Sequence, residues 1–210
     1  MDFKCPPEVV KAVKRRADHS VFGYTEASDD LKEMFINRVY KNAKWKIEPE
    51  WVVWLPGVVV GLNVVCRTIL RPGKMALIPT PIYPPFIEAP DNMDRGYLLT
   101  ELENINGRLS LDMRDLEILM NDDIDLFYFC NPHNPGGSMA SKDEIDSLVE
   151  LCQQKNVIIC SDEIHSEVIL DEKKKHIHLA QTSDIAANNS ITFLAPSKSF
   201  NIAGLECASA

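Results

Sequence analysis

The sequence predicts an α/β fold of three layers, with helices on both faces of a mostly parallel sheet. Three observations carry that expectation. Short β-prone apolar runs alternate with segments of helical periodicity. The chain has 210 residues and 45% hydrophobic content, enough for one sizeable core. No internal repeat, low-complexity stretch or interdomain linker breaks the order, so residues 1–210 read as one domain.

The elements follow in turn. Helical periodicity runs over Pro7 to His19 and over Ser28 to Asn42. A short strand over Trp51 to Leu55 gives way to a helix from Gly57 to about Leu70, closed by Arg71-Pro72-Gly73. Strands are expected at Lys74 to Pro79 and Gly96 to Glu101, a helix at Asp112 to Asn121, and a strand at Leu126 to Cys130. The helix from Lys142 to Lys155 opens with Ser141 and Glu144, the pair of a capping box in which each side chain satisfies a free amide of the other. Strands at Val157 to Ser161 and Ile191 to Leu194 complete the alternation.

Charge and cysteine usage narrow the function classes. A net charge of −9 argues against nucleic acid or an anionic membrane as partner. The one basic cluster, residues 173–175 followed by His176 and His178, reads as a solvated loop. Six cysteines, mostly within apolar segments and without C-x-x-C spacing, suit buried free thiols in a reducing compartment better than disulfides or zinc. The first residues lack the charged and apolar regions of a signal peptide. The most apolar stretch, Trp51 to Cys66, is interrupted by Pro56, Gly57, Gly61 and Asn63, so a soluble cytoplasmic protein is expected.

Three polar residues stand where three apolar runs end. Lys198 lies in Ala195-Pro196-Ser197-Lys198-Ser199-Phe200-Asn201-Ile202-Ala203-Gly204, after Ile191 to Leu194. An amine at the end of a buried strand is placed for partial desolvation, which lowers its pKa towards nucleophilic, Schiff-base use; a solvated surface lysine has the same letters. Asp162, in Ser161-Asp162-Glu163-Ile164-His165, is 36 positions earlier, and Asn134, in Asn131-Pro132-His133-Asn134-Pro135-Gly136-Gly137, 28 before that. The carboxyl edge of an open parallel sheet is where ligands bind. A carboxylate for a protonated ring nitrogen, an amide for a phenolic oxygen and an amine for an aldehyde meet the needs of pyridoxal 5′-phosphate (PLP).

With these motifs and spacings the chain resembles the fold-type I PLP-dependent enzymes of the class I/II aminotransferase superfamily, and within them the MalY/PatB-like cystathionine β-lyases (C–S lyases). Val21-Phe22-Gly23-Tyr24-Thr25, Leu55-Pro56-Gly57-Val58-Val59 and Thr80-Pro81-Ile82-Tyr83-Pro84-Pro85-Phe86 support the likeness. The resemblance implies a PLP-transferase large domain without the C-terminal small domain, since relatives are about twice this length. It implies that the amides of Val58 and Val59, at a helix start, hold the cofactor phosphate, with Ser197 and Ser199 adding hydroxyls; a buried helix behind a Pro-Gly turn has the same letters. Tyr83 resembles the aromatic stacked on the pyridine ring, or is a packed turn tyrosine. His165 stands where aminotransferases carry a tyrosine near the phenolic oxygen, or is a satisfied buried histidine. Glu163 would point to the other face. Asn131 and His133 read as turn formers. Tyr24 resembles the tyrosine that reaches a neighbour's phosphate in a homodimer, or is an ordinary loop residue.

Two positions depart from the family's pattern. Ala195 replaces a phosphate-binding serine, and Glu206 a phosphate-binding arginine, exchanging attraction for repulsion. The implied reaction is β-elimination from cystathionine or another cysteine conjugate, a small amino-acid substrate, giving a thiol, pyruvate and ammonia, with Lys198 as the base. Transamination uses the same lysine, aspartate and asparagine. The arginine that grips the substrate carboxylate has no counterpart here, so a truncated fragment that binds PLP or a partner without turnover is a third reading. A non-PLP α/β domain with coincident motifs is a fourth.

Overall fold

The computed structural model describes residues 3–210. In chain order it comprises α1 (Pro7–Asp18), α2 (Asp29–Ala43), β1 (Trp54–Leu55), α3 (Val58–Ile69), β2 (Met75–Thr80), α4 (Pro85–Asn92), β3 (Gly96–Glu101), β4 (Glu103–Ile105), β5 (Arg108–Ser110), α5 (Met113–Leu119), β6 (Ile124–Cys130), α6 (Lys142–Lys155), β7 (Ile158–Asp162), α7 (Asp184–Asn188), β8 (Ser190–Phe193), α8 (Pro196–Ser199) and β9 (Ala208–Ser209). The central sheet has five strands in the order β3-β2-β6-β7-β8, and every pairing is parallel.

Period-two alternation sorts the core into two faces. In β6, Leu126, Tyr128 and Cys130 pack under α3 and α4 with Val65, Cys66, Phe86 and Ala89, while Phe127 and Phe129 pack under α5 and α6 with Leu116, Ile145, Leu148 and Cys152. All seven residues of β6 are buried, as a strand covered on both sides requires. The Tyr128 hydroxyl satisfies itself by donating to the Leu62 carbonyl at 2.9 Å. Gly61 lets α3 approach the sheet: a Cβ there would lie 2.6 Å from the Phe193 ring and 2.9 Å from Leu55.

The capping box of α6 forms as expected, with the Glu144 amide on Ser141 Oγ and the Ser141 amide on Glu144 Oε2. Ser28 and Asp112 cap α2 and α5 more simply, each side chain accepting first-turn amides without a reciprocal bond. The expected strand at Trp51 to Leu55 is shorter: Pro49 opens a 3-10 turn through Trp51, and only Trp54 and Leu55 pair, antiparallel to Ser209 and Ala208. Several elements go beyond the sequence reading: α4, the β4–β5 hairpin, α7, α8 and β9. α4 starts on Pro84-Pro85 and carries Pro90 inside it. The β4–β5 hairpin turns on Asn106 and Gly107, both at positive φ (53° and 84°). Among the described residues no helix is long and apolar enough to cross a membrane.

Candidate active site

Register brings the site together. Cys130 pairs with Asp162 and Asp162 with Phe193, so β6, β7 and β8 end level. Asn134 follows the end of β6 by four residues, Asp162 closes β7, and Lys198 follows β8 by five. All three line one cavity of about 320 Å³. Tyr83, His165 and Ser197 line it too, together with Val58 and Val59 at the start of α3. The first amides of that 12-residue helix have no acceptor within it, and its dipole favours an anion.

The turn before Asn134 is built as expected. Asn131 Oδ1 accepts the Ala140 amide at 3.0 Å, and the Asn131 amide donates to the Asp162 carbonyl at 3.0 Å. His133 Nδ1 accepts the Gly136 amide at 3.1 Å, and the His133 amide donates to Ser138 at 2.7 Å. Asn134 is thereby presented to the cavity by a hydrogen-bonded loop tied to β7.

Asp162 is 5% exposed, and only its Oδ1 accepts a hydrogen bond from the described residues, from the Ile164 amide at 3.0 Å. Burial pushes its pKa up to about 6; the Ile164 hydrogen bond and the Lys198 charge pull down against burial and the Glu163 charge. A buried carboxylate with an oxygen turned to a cavity and no donor for it suits a cationic N–H from a ligand. Burial, and then the Lys198 charge, lower the His165 pKa, favouring a neutral imidazole. Cys130, on the cavity wall, is pushed up to about 12 by burial and the Asp162 charge, which keeps it a thiol.

Three expectations are corrected or left apart. Lys198 is exposed rather than buried: it stands on the four-residue α8, five residues beyond the end of β8, where it lines the cavity without being enclosed. Tyr24 is 112% exposed in an irregular segment and lines no part of the cavity. The segment after β7 is not simply a solvated loop. Its lysines are exposed, but His176 and His178 turn inward onto Glu163. Glu163 is fully buried, with Oε1 accepting from Ser161 Oγ and the Leu179 amide, both at 2.9 Å, and Oε2 from His176 Nε2 at 2.7 Å and from His178 Nδ1. Burial works against its charge, but the two histidines outweigh it and hold its pKa down at about 2. The three side chains bring potential ligand atoms within 4.8 Å of one another. All four acceptor positions of the carboxylate are nonetheless filled by protein donors, so the cluster reads as a closed hydrogen-bonded hub. The His176-Ile177-His178 spacing was the sequence signal for it.

Ala195 and Glu206, the two departures, line the same cavity, as do Ala203 and Cys207. Among the described lining residues none is an arginine. The cysteines are free, and Cys66, Cys130, Cys152 and Cys160 are buried.

Comparison with known proteins gives one family. The model of the aminotransferase class I and II family matches residues 1–210. Cystathionine beta-lyase PatB of Bacillus subtilis (strain 168) is 37% identical over 209 residues, covering 99% of this chain and 54% of its own. The crystal structure of OvoB superposes with a TM-score of 0.95 at 40% identity, covering 99% of this chain and 55% of that one. Cystalysin from Treponema denticola, a structure containing pyridoxal 5′-phosphate, gives 0.94 at 33% identity, covering 100% and 53%. The chain spans about half the length of the curated relatives it matches.

Proposed function

The chain belongs to the aminotransferase class I and II family, and from that premise we propose that its cavity holds PLP and serves β-elimination of sulfur from a cysteine conjugate such as cystathionine, yielding thiol, pyruvate and ammonia. One observation carries the reading: Lys198, Asp162 and Asn134, from three level strand ends, line a single cavity with the start of α3.

The residues fit the cofactor. The under-bonded Asp162 oxygen would take the ring N–H, and a carboxylate beside that nitrogen raises its pKa by roughly 1–3 units. Asn134 would donate to the phenolic oxygen, with neutral His165 beside it. The Val58 and Val59 amides and the Ser197 hydroxyl would hold the phosphate, and Tyr83 would cover a ring face. Lys198 Nζ would bind the aldehyde carbon covalently, then, displaced by the amino group of the substrate, remove the α-proton as general base. PLP, when bound, supplies the electron sink that stabilises the resulting carbanion. The β-thiolate would then leave and take up a proton, and water would hydrolyse the remaining three-carbon enamine to pyruvate and ammonia. A small amino-acid substrate is expected for this family, and its carboxylate requires a cation from outside the cavity wall described above.

The assembly we propose is a homodimer, in which the exposed Tyr24 reaches the phosphate of the neighbouring site; four buried free thiols favour a cytoplasmic setting. A net charge of −9 disfavours nucleic acid and anionic membranes. The test is incubation with PLP, a visible spectrum, borohydride reduction and peptide mapping. A phosphopyridoxyl group on Lys198 supports the reading, and a folded, unlabelled chain overturns it. Pyruvate from cystathionine without a keto-acid acceptor separates elimination from transamination.

A further inference from the structure

The Lys198 turn is gripped from a part of the chain remote from the cavity walls. Arg38, on α2, makes a two-pronged ion pair with Glu167, Nε to Oε1 at 2.9 Å and the terminal nitrogen to Oε2 at 2.6 Å. Asn42, one helical turn on, donates to the same Oε1 at 2.9 Å. The Arg38 guanidinium also lies 5.1 Å from the centroid of the Phe200 ring, two residues after the lysine. The Glu167 side chain is about 30% exposed; burial raises its pKa, but the hydrogen bonds and charge of Arg38 outweigh this and hold it low. Ser199 and Phe200 flank Lys198 on its carboxyl side, and the Asn201 side-chain amide donates to the Phe3 carbonyl.

We propose that Arg38 and Glu167 are positioning residues: a planar fork stacked on Phe200 and locked to Glu167 fixes the turn that aims Lys198 into the cavity. The inference rests on Lys198 being the cofactor-binding lysine. The need is physical. Lys198 is exposed on a four-residue helix, α8, which has no stability of its own and must be held by neighbours. An amine on a flexible stem reacts at a set point only if its backbone is fixed. Arg suits the task because it can stack and pair bidentately at once; Lys cannot do both.

The test compares the wild-type chain with R38A, R38K and E167Q. Hydrogen exchange of the cofactor-free peptide 196–206 is expected to quicken about tenfold in R38A, the scale of a partly exposed bidentate pair plus a cation–π contact, with β6 unchanged. Apparent PLP affinity, read from visible absorbance and from borohydride labelling of Lys198, is expected to weaken by a similar factor. R38K should restore little of either. Wild-type exchange and labelling in R38A would overturn the proposal, as would full rescue by lysine. Should R38A not fold, E167Q, which keeps the shape and loses the charge, decides by the same two readouts. A wild-type chain that takes no label fails the cofactor reading alone, because the exchange measurement still judges the clamp.

Discussion

Asp162 and Glu163 are neighbours in sequence, both buried, and they differ in almost everything else. Asp162 ends a strand facing the cavity, holds one hydrogen bond and is pushed up to about 6. Glu163 faces the opposite layer, accepts four hydrogen bonds and is held at about 2. The same functional group, equally removed from water, is thus destabilising on one side of the backbone and stabilising on the other. On the proposed function, the difference separates a carboxylate left short of donors, as a binding group would be, from one saturated to fix the fold.

The comparison breaks most readily at the saturated end. E163A removes the hub and leaves two buried imidazoles without their acceptor, so a loss of roughly 4 kcal/mol is expected, visible as a melting temperature lower by about 10 °C. D162N should act with the opposite sign. At pH 8 the amide relieves a buried charge, and the cofactor-free chain should gain roughly 3 kcal/mol in chemical denaturation, while the visible absorbance of bound PLP falls. Equal destabilisation by both variants would erase the distinction.

The pH profile of the wild-type chain sharpens it further. Asp162 has a folded pKa above its unfolded value, so its relative stabilisation is complete below about pH 4 and disappears as pH rises through 6. Glu163 has a folded pKa below its unfolded value, so its contribution is complete above about pH 4.5 and is lost as pH falls through 2. Denaturation midpoints of wild type and D162N should therefore diverge between pH 4 and 6, and those of wild type and E163Q should converge below 4. The smallest effect is expected from S161A, which removes one of four donors to Glu163 and should cost about 1 kcal/mol in the same assay.

Much of this arrangement was legible in the chain, for reasons that can be named. Strands β2, β6 and β7 are buried on both faces, so their apolar runs stand out, and the polar residues that follow the runs of β6, β7 and β8 fall at one edge of the sheet. Ser141 with Glu144 announced α6 because capping is local. The hairpin carries a local signal in Asn106-Gly107, whereas α4 is hidden by prolines that usually end helices. The Arg38–Glu167 pair could not have been read, since it joins residues 129 apart through space with no periodic pattern on either side. The exposure of Lys198 was equally hidden, because the orientation of α8 depends on packing rather than on the letters around the lysine.

The strand order also has a consequence in time. β2 lies between β3 and β6, and β8 joins only at the rim, so contacts across tens of residues must close before the sheet exists. Helical turns form in about a microsecond, whereas non-local pairings close in milliseconds to seconds. The cavity draws its walls from residues 56 to 207 and is complete only when β6, β7 and β8 have all paired. A refolding chain should thus regain its circular dichroism first and its capacity to turn yellow with pyridoxal 5′-phosphate later, the delay clocking the closure of the parallel sheet.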